Sequence, residues 1–190
     1  MNISITKTST PKAKPDSSTL GFGKIFTDHM FIMDYSKEEG WHDARIVPFE
    51  NISLHPASTV LHYGSEIFEG LKAYRRADGK VQLFRPIENV RRMNNSADRL
   101  QLPTMPEEMM LEAITTFVKL EEEWVPFGEG ESLYLRPFMF GSNQGIGVKP
   151  ATEYQFRIFA TPVGPYFKGG VKPLTLRVCD LDRAAPRGTG

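Results

Sequence analysis

The chain has 190 residues, with 23 Lys and Arg against 23 Asp and Glu, and is 40% hydrophobic and 24% charged. That length fits one large domain or one domain plus part of another, and the composition is that of a folded soluble protein. Zero formal charge leaves no global field for nucleic acid or anionic membrane, and a single cysteine, Cys179, closes no internal disulfide, so any anion site rests on locally placed Arg or Lys.

Residues 1–18 are polar, with prolines at Pro11 and Pro15. They read as a flexible arm and lack the apolar centre of a signal peptide. No run is apolar enough to span a membrane, so the cytoplasm is the expected location. A strand is expected over 24–33, and a second over 45–49 that Pro48 interrupts. A hairpin follows, with arms at 67–74 and 81–84 and Asp78 and Gly79 at the turn. Pro86 opens a helix whose apolar residues Val90, Met93, Ala97 and Leu100 recur every three or four positions. Thr104 and Glu107 have the spacing of a capping box for a second helix, with Met110, Ile114 and Phe117 along one stripe.

Strands are then expected over 132–140 and 153–161. In the first, Tyr134, Arg136 and Phe138 share a face because strand side chains alternate with period two. Residues 162–173, rich in Gly and Pro, read as an interdomain linker. A new strand is expected from 173, and 183–190 reads as a loop. Strands interleaved with two helices predict an α+β fold built on an antiparallel sheet.

The chemistry is ambiguous residue by residue. Arg92 is either one more charge on a solvated helix face or a clamp on a phosphate dianion. Tyr134 and Arg136 lie either on an edge or solvent face, or on a pocket wall where Arg pairs with a carboxylate. Tyr63, after His62 at a strand entrance, and Phe22, between two glycines, read as packing groups. The four histidines lack metal-ligand spacing, so no metal site is expected. Lys72, the one lysine in the hairpin arms, reads as a strand's polar face; Lys168 and Lys172 read as solvated.

Six blocks together resemble the branched-chain amino-acid aminotransferases, enzymes of fold type IV that use pyridoxal 5'-phosphate. They are FGKIFTDHMF (22–31), PFENISLHPASTVLHYGSEIFEGLKAY (48–74), LFRPIENVRRM (83–93), ADRLQLP (97–103), SLYLRPFMFGSNQGIGV (132–148) and PVGPYFKGG (162–170). The resemblance implies amino transfer between Leu, Ile or Val and 2-oxoglutarate. It implies that Arg92 binds the cofactor phosphate and that Phe22 and Tyr63 wall the substrate pocket. Tyr134 and Arg136 match the tyrosine and arginine of the LYxRP block, the arginine being associated with glutamate's distal carboxylate. Tyr166 matches a tyrosine that closes over the substrate. Ile146 and Val148 match apolar residues reaching into a neighbouring subunit's pocket, which implies a homodimer; no nucleic-acid or membrane partner is implied.

The resemblance also implies a domain plan. After the arm comes a small α+β domain over 19–162, then a linker over 163–173, then the start of a cofactor-binding domain over 174–190. The family's Schiff-base lysine is expected about three residues past Gly190, so no catalytic residue is assigned in this chain. The chain is expected to be an N-terminal fragment, inactive alone. The competing readings are a non-catalytic association domain, a D-amino-acid aminotransferase and an aminodeoxychorismate lyase.

Overall fold

The computed structural model describes residues 1–167 and 172–178. Its architecture follows from two strands that alternate apolar and polar along their length. Strand β7, Ser132–Gly141, buries Leu133, Leu135 and Met139 on one face and leaves Tyr134, Arg136 and Phe138 half-buried on the other. Strand β8, Glu153–Val163, pairs with it antiparallel over its whole length, setting Tyr134 opposite Thr161 and Arg136 opposite Phe159.

Around this pair the sheet grows in both directions. With β1 at Ser4–Ile5, β2 at His29–Ser36, β3 at Gly40–Pro48, β4 at Glu66–Phe68, β5 at Leu71–Arg75 and β6 at Val81–Leu83, the order is β1-β3-β2-β8-β7-β5-β6, and β4 also pairs with β7. All the pairings are antiparallel except β1 with β3.

One face of the sheet is covered by helices. Helix α2, Pro86–Arg99, turns Val90, Met93 and Ala97 inward, and α3, Glu107–Leu120, adds Met110, Ala113, Ile114, Phe117 and Val118. These side chains meet Phe31, Leu133, Leu135, Met139, Phe156 and Ile158 in a single apolar cluster. Each fully buried Val, Leu, Ile, Phe or Met side chain of this cluster contributes ~1.5–3 kcal/mol. The opposite face keeps the aromatic and charged residues of β7, and it carries the candidate site. The fold is α+β, as the sequence predicts. A third helix, α1 at Thr59–Tyr63, is only five residues long and stops at Gly64, whose φ of 58° suits a residue without a Cβ. Among the described residues no helix is long and apolar enough to cross a membrane.

Several local expectations are corrected. The strand expected at 24–33 begins at His29 and runs on to Ser36, and its partner extends back to Gly40. Ahead of it, the Asp28 carboxylate accepts from the Trp124 indole at 3.0 Å and from the Lys12 amide at 2.9 Å. The expected hairpin arm 67–74 is two strands, because Pro137 lies opposite their junction. Its carbonyl accepts from the Glu69 amide at 2.8 Å, but proline has no N–H to return, so the ladder breaks at Glu69 and Gly70. The capping box does not form. Pro106 is the N-cap of α3 and gives no side-chain cap, while Asn94 braces the incoming chain by bonding both the amide and the carbonyl of Met105. His62 and Tyr63 lie in α1, not at a strand entrance.

The N-terminal arm is tied to the body at several points. Ser4 and Ile5 pair with Arg45 and Ile46, and the Thr8 amide donates to His29 Nε2 at 3.0 Å. At the other end β8 continues through Val163 into the expected linker. Residues 172–178 hold no helix or strand, so the strand expected from 173 is not formed over its described part. No strand pairs with that segment among the described residues. The remainder of that expected strand, the loop over 183–190 and Lys168 lie outside the described residues.

Candidate active site

The break between β4 and β5 organises the site. Three consecutive residues, Phe68, Glu69 and Gly70, each meet a different side chain of the candidate set, and each contact has its own physical basis.

Glu69 meets Arg92. Pro86 at the first position of α2 sets the helix going, and the Val90, Met93 and Ala97 stripe fixes its rotation by burial. Arg92 is thereby turned to the flank facing the strand junction. Its Nε donates to Glu69 Oε1 and its Nη2 to Glu69 Oε2, both at 2.6 Å. The two ends differ in exposure: the Glu69 side chain is 6% exposed, that of Arg92 62%. Asn89, one turn earlier, donates to Glu69 Oε2 at 3.0 Å and to the Gly70 carbonyl at 3.1 Å. Hydrogen bonding to Glu69, and then its charge, push the Arg92 guanidinium further above its ordinary range, so the group is a permanent cation. Among the described residues Arg92 makes no i,i+4 ion pair with Glu88. Glu88 pairs instead with Arg85 and Arg91.

Phe68 meets Arg136. The guanidinium carbon of Arg136 lies 4.3 Å from the centre of the Phe68 ring, a cation–π distance, and 5.4 Å from that of Tyr134. Arg136 Nη2 donates to the Tyr134 hydroxyl at 2.8 Å. Arg136 Nε is out of water and has no partner among the described residues. Strand β7 lies between β8 and β5 in the sheet, so its Tyr134 face is not an edge.

Gly70 meets Tyr134. A Cβ at Gly70 would stand 3.0 Å from Tyr134 Cζ and would overlap the hydroxyl. Glycine is what lets the tyrosine lie over the strand junction. The edge of Phe22 completes the wall, its ring centre 5.1 Å from that of Tyr134 at an interplanar angle of 64°.

Phe22, Tyr134 and Arg136 therefore form one group, joined to Arg92 through residues 68–70. Tyr63 and Ile146 form a second, since the Tyr63 hydroxyl donates to the Ile146 carbonyl. Ile146 and Val148 are 71% and 90% exposed. Tyr166 is 82% exposed and packs edge-on against Phe167 at 4.8 Å. Among the described residues neither Tyr166 nor Val148 joins either group.

Sequence reasoning missed residues 68–70. The available signal was an acidic residue followed by glycine inside an apolar strand arm. Both are poor strand formers, and their adjacency marks a break that serves something else.

No protein-family model matches the chain. Comparison with curated proteins is more informative. The chain is 50% identical over 172 residues to the branched-chain-amino-acid aminotransferase of Mycolicibacterium smegmatis, covering 90% of this chain and 47% of that protein. It is 46% identical over 189 residues to branched-chain-amino-acid aminotransferase 2 of Bacillus subtilis, covering 99% of this chain and 52% of that one.

Solved structures agree. The Thermoproteus uzoniensis branched-chain aminotransferase with norvaline superposes with a TM-score of 0.58 at 26% identity, covering 74% of this chain and 43% of that chain. The branched-chain amino acid aminotransferase from Escherichia coli gives 0.57 at 26% identity, covering 86% and 48%. The chain spans about half the length of the curated relatives it matches, and over nearly all of its own length it is a relative of the branched-chain-amino-acid aminotransferases.

Proposed function

We propose that the whole protein transfers the amino group between branched-chain L-amino acids and 2-oxoglutarate with pyridoxal 5'-phosphate, and that this chain supplies a phosphate grip and the substrate walls. The observation that carries the reading is the placement of Arg136. It is a cation set into an aromatic wall, tethered by the Tyr134 hydroxyl and resting on Phe68.

Such a site must accept two kinds of side chain in turn. Leu, Ile or Val requires apolar burial, worth ~1.5–3 kcal/mol for a full side chain. Phe22, Phe68 and Tyr134 provide that surface. Glutamate requires a partner for its distal carboxylate, which Arg136 offers from the side. When an aliphatic substrate is bound, the cation keeps the Tyr134 hydroxyl and the Phe68 ring, so its charge is not left bare.

The residues also fit the cofactor's phosphate. Glu69 takes one edge of the Arg92 guanidinium, through Nε and Nη2, and among the described residues no hydrogen bond uses Nη1. The outer edge is thus free for two parallel bonds to an anion. When bound, pyridoxal 5'-phosphate supplies the electron-withdrawing ring that stabilises charge at the substrate's α-carbon. The roles assigned to this chain are to fix the phosphate, orient the side chain and exclude water from it.

The exposed Ile146 and Val148 support a homodimer in which they enter the neighbouring subunit's pocket. Both side chains are accessible to a partner, as such a role requires.

The test is a substrate profile of the full-length protein. L-leucine with 2-oxoglutarate should yield glutamate, with L-isoleucine and L-valine also accepted. Amino transfer confined to D-alanine would support the D-amino-acid enzyme instead. Release of pyruvate from aminodeoxychorismate would support the lyase.

A further inference from the structure

We propose that Glu69 is a positioning residue, holding Arg92 so that its outer edge is presented to the cofactor phosphate. The inference rests on the reading of Arg92 as the phosphate ligand, and extends it to a residue that itself touches neither cofactor nor substrate.

Three observations carry it. First, the grip is bidentate, with both contacts at 2.6 Å, so it fixes the plane of the guanidinium as well as its place. Second, the burial is asymmetric. Glu69 is 6% exposed while Arg92 is 62% exposed, so the carboxylate belongs to the rigid body and the guanidinium to the surface. Third, the carboxylate is itself braced. Asn89 bonds both Glu69 and the Gly70 carbonyl, and the Glu69 amide is held by Pro137 of β7. The chain of restraint runs from the sheet through Glu69 to Arg92.

Two physical effects oppose each other here. A free arginine keeps side-chain conformational entropy that it loses on taking up a phosphate. Glu69 removes that loss in advance. Against this, the Glu69 charge repels the phosphate, and removing it would leave a net cation in the site. That repulsion acts across the width of the guanidinium, and the solvent that reaches Arg92 screens it only in part, because Glu69 itself is buried. The fixed geometry acts on every phosphate bond, so positioning outweighs repulsion.

The opposing signs make the test decisive. Apo full-length protein is titrated with pyridoxal 5'-phosphate and, separately, with pyridoxal, which has the ring but no phosphate. The variants are Glu69→Gln, Glu69→Asp, Arg92→Ala and the Glu69→Gln, Arg92→Ala double. Glu69→Gln should weaken pyridoxal 5'-phosphate binding by about tenfold or more, the scale of hydrogen bonds to a charged group, and leave pyridoxal unchanged. Glu69→Asp, which keeps the charge and shortens the reach, should fall between Glu69→Gln and wild type. The double variant should bind no more weakly than Arg92→Ala alone.

Unchanged or tighter pyridoxal 5'-phosphate binding by Glu69→Gln overturns the proposal. So does equal loss for both ligands, which marks a role in folding only. If Arg92→Ala leaves the ratio of the two affinities unchanged, the phosphate reading of Arg92 fails, and with it this inference. If Arg92→Ala lowers the ratio and Glu69→Gln does not, only the inference fails.

Discussion

Gly70 lies directly beneath the Tyr134 hydroxyl, so close that a methyl group on its Cα would occupy the space the phenol now fills. The tyrosine in turn holds Arg136. A backbone position without a side chain therefore sets where the site's second cation stands.

Gly70→Ala should push Tyr134 off the strand junction and loosen Arg136. On the proposed function, the KM for 2-oxoglutarate in the full-length protein should rise by about tenfold, as for losing a hydrogen bond to a charged group, while the KM for leucine changes less. Steady-state kinetics with each substrate varied in turn provide the check.

Phe68→Ala should remove the ring on which Arg136 rests and part of the apolar wall. Losing the cation–π contact costs ~0.5–2 kcal/mol, and losing apolar contact weakens leucine as well. Unlike Gly70→Ala, this change should raise both KM values together.

The N-terminal arm should contribute stability through Asp28. Burial pushes its carboxyl up, but the Lys12 amide, the Trp124 indole and the Lys14 ammonium together hold it below its ordinary value of 3.8. A depressed folded-state pKa gives stability that is present above the unfolded value and lost as pH falls through the folded one. Asp28→Asn should therefore lower stability by ~1–3 kcal/mol near neutrality. The difference from wild type should shrink as pH falls below 3.8. Urea unfolding midpoints at pH 7 and pH 3 would show it.

Met93→Ala should test whether α2 is held by its buried stripe. Met93 is 1% exposed in the shared core, and truncation of such a residue costs ~2–5 kcal/mol. Thermal unfolding should record the loss, and Arg92, the adjacent residue on the helix, should bind pyridoxal 5'-phosphate less well.

Helices α2 and α3 and strands β7 and β8 were legible because periodicity is a local property. Val90, Met93 and Ala97 announce α2, and the shared face of Tyr134, Arg136 and Phe138 announces the alternation of β7. The grip of Glu69 on Arg92 was not legible, since it spans 23 positions and depends on where Pro137, in a third element, interrupts the ladder. The capping box at Thr104 and Glu107 rests on spacing alone, and Pro106 at the N-cap overrides it. The arm's attachment through Thr8 and Lys12 was hidden for a similar reason. Its polar sequence gives no apolar signal, and it is held by its own backbone amides, which donate to the side chains of His29 and Asp28.

In the proposed function, one arginine in an aromatic wall serves the acidic substrate and stands aside for the aliphatic one. Rapid-mixing half-reactions of the full-length, cofactor-loaded enzyme separate the two roles when wild type is compared with Arg136→Met. The rate with L-glutamate should fall by about tenfold to a hundredfold, the scale of a lost charge-assisted contact, while the rate with L-leucine stays within about threefold, as expected for a change that spares apolar burial. An equal loss for both substrates, or none for glutamate, would contradict it.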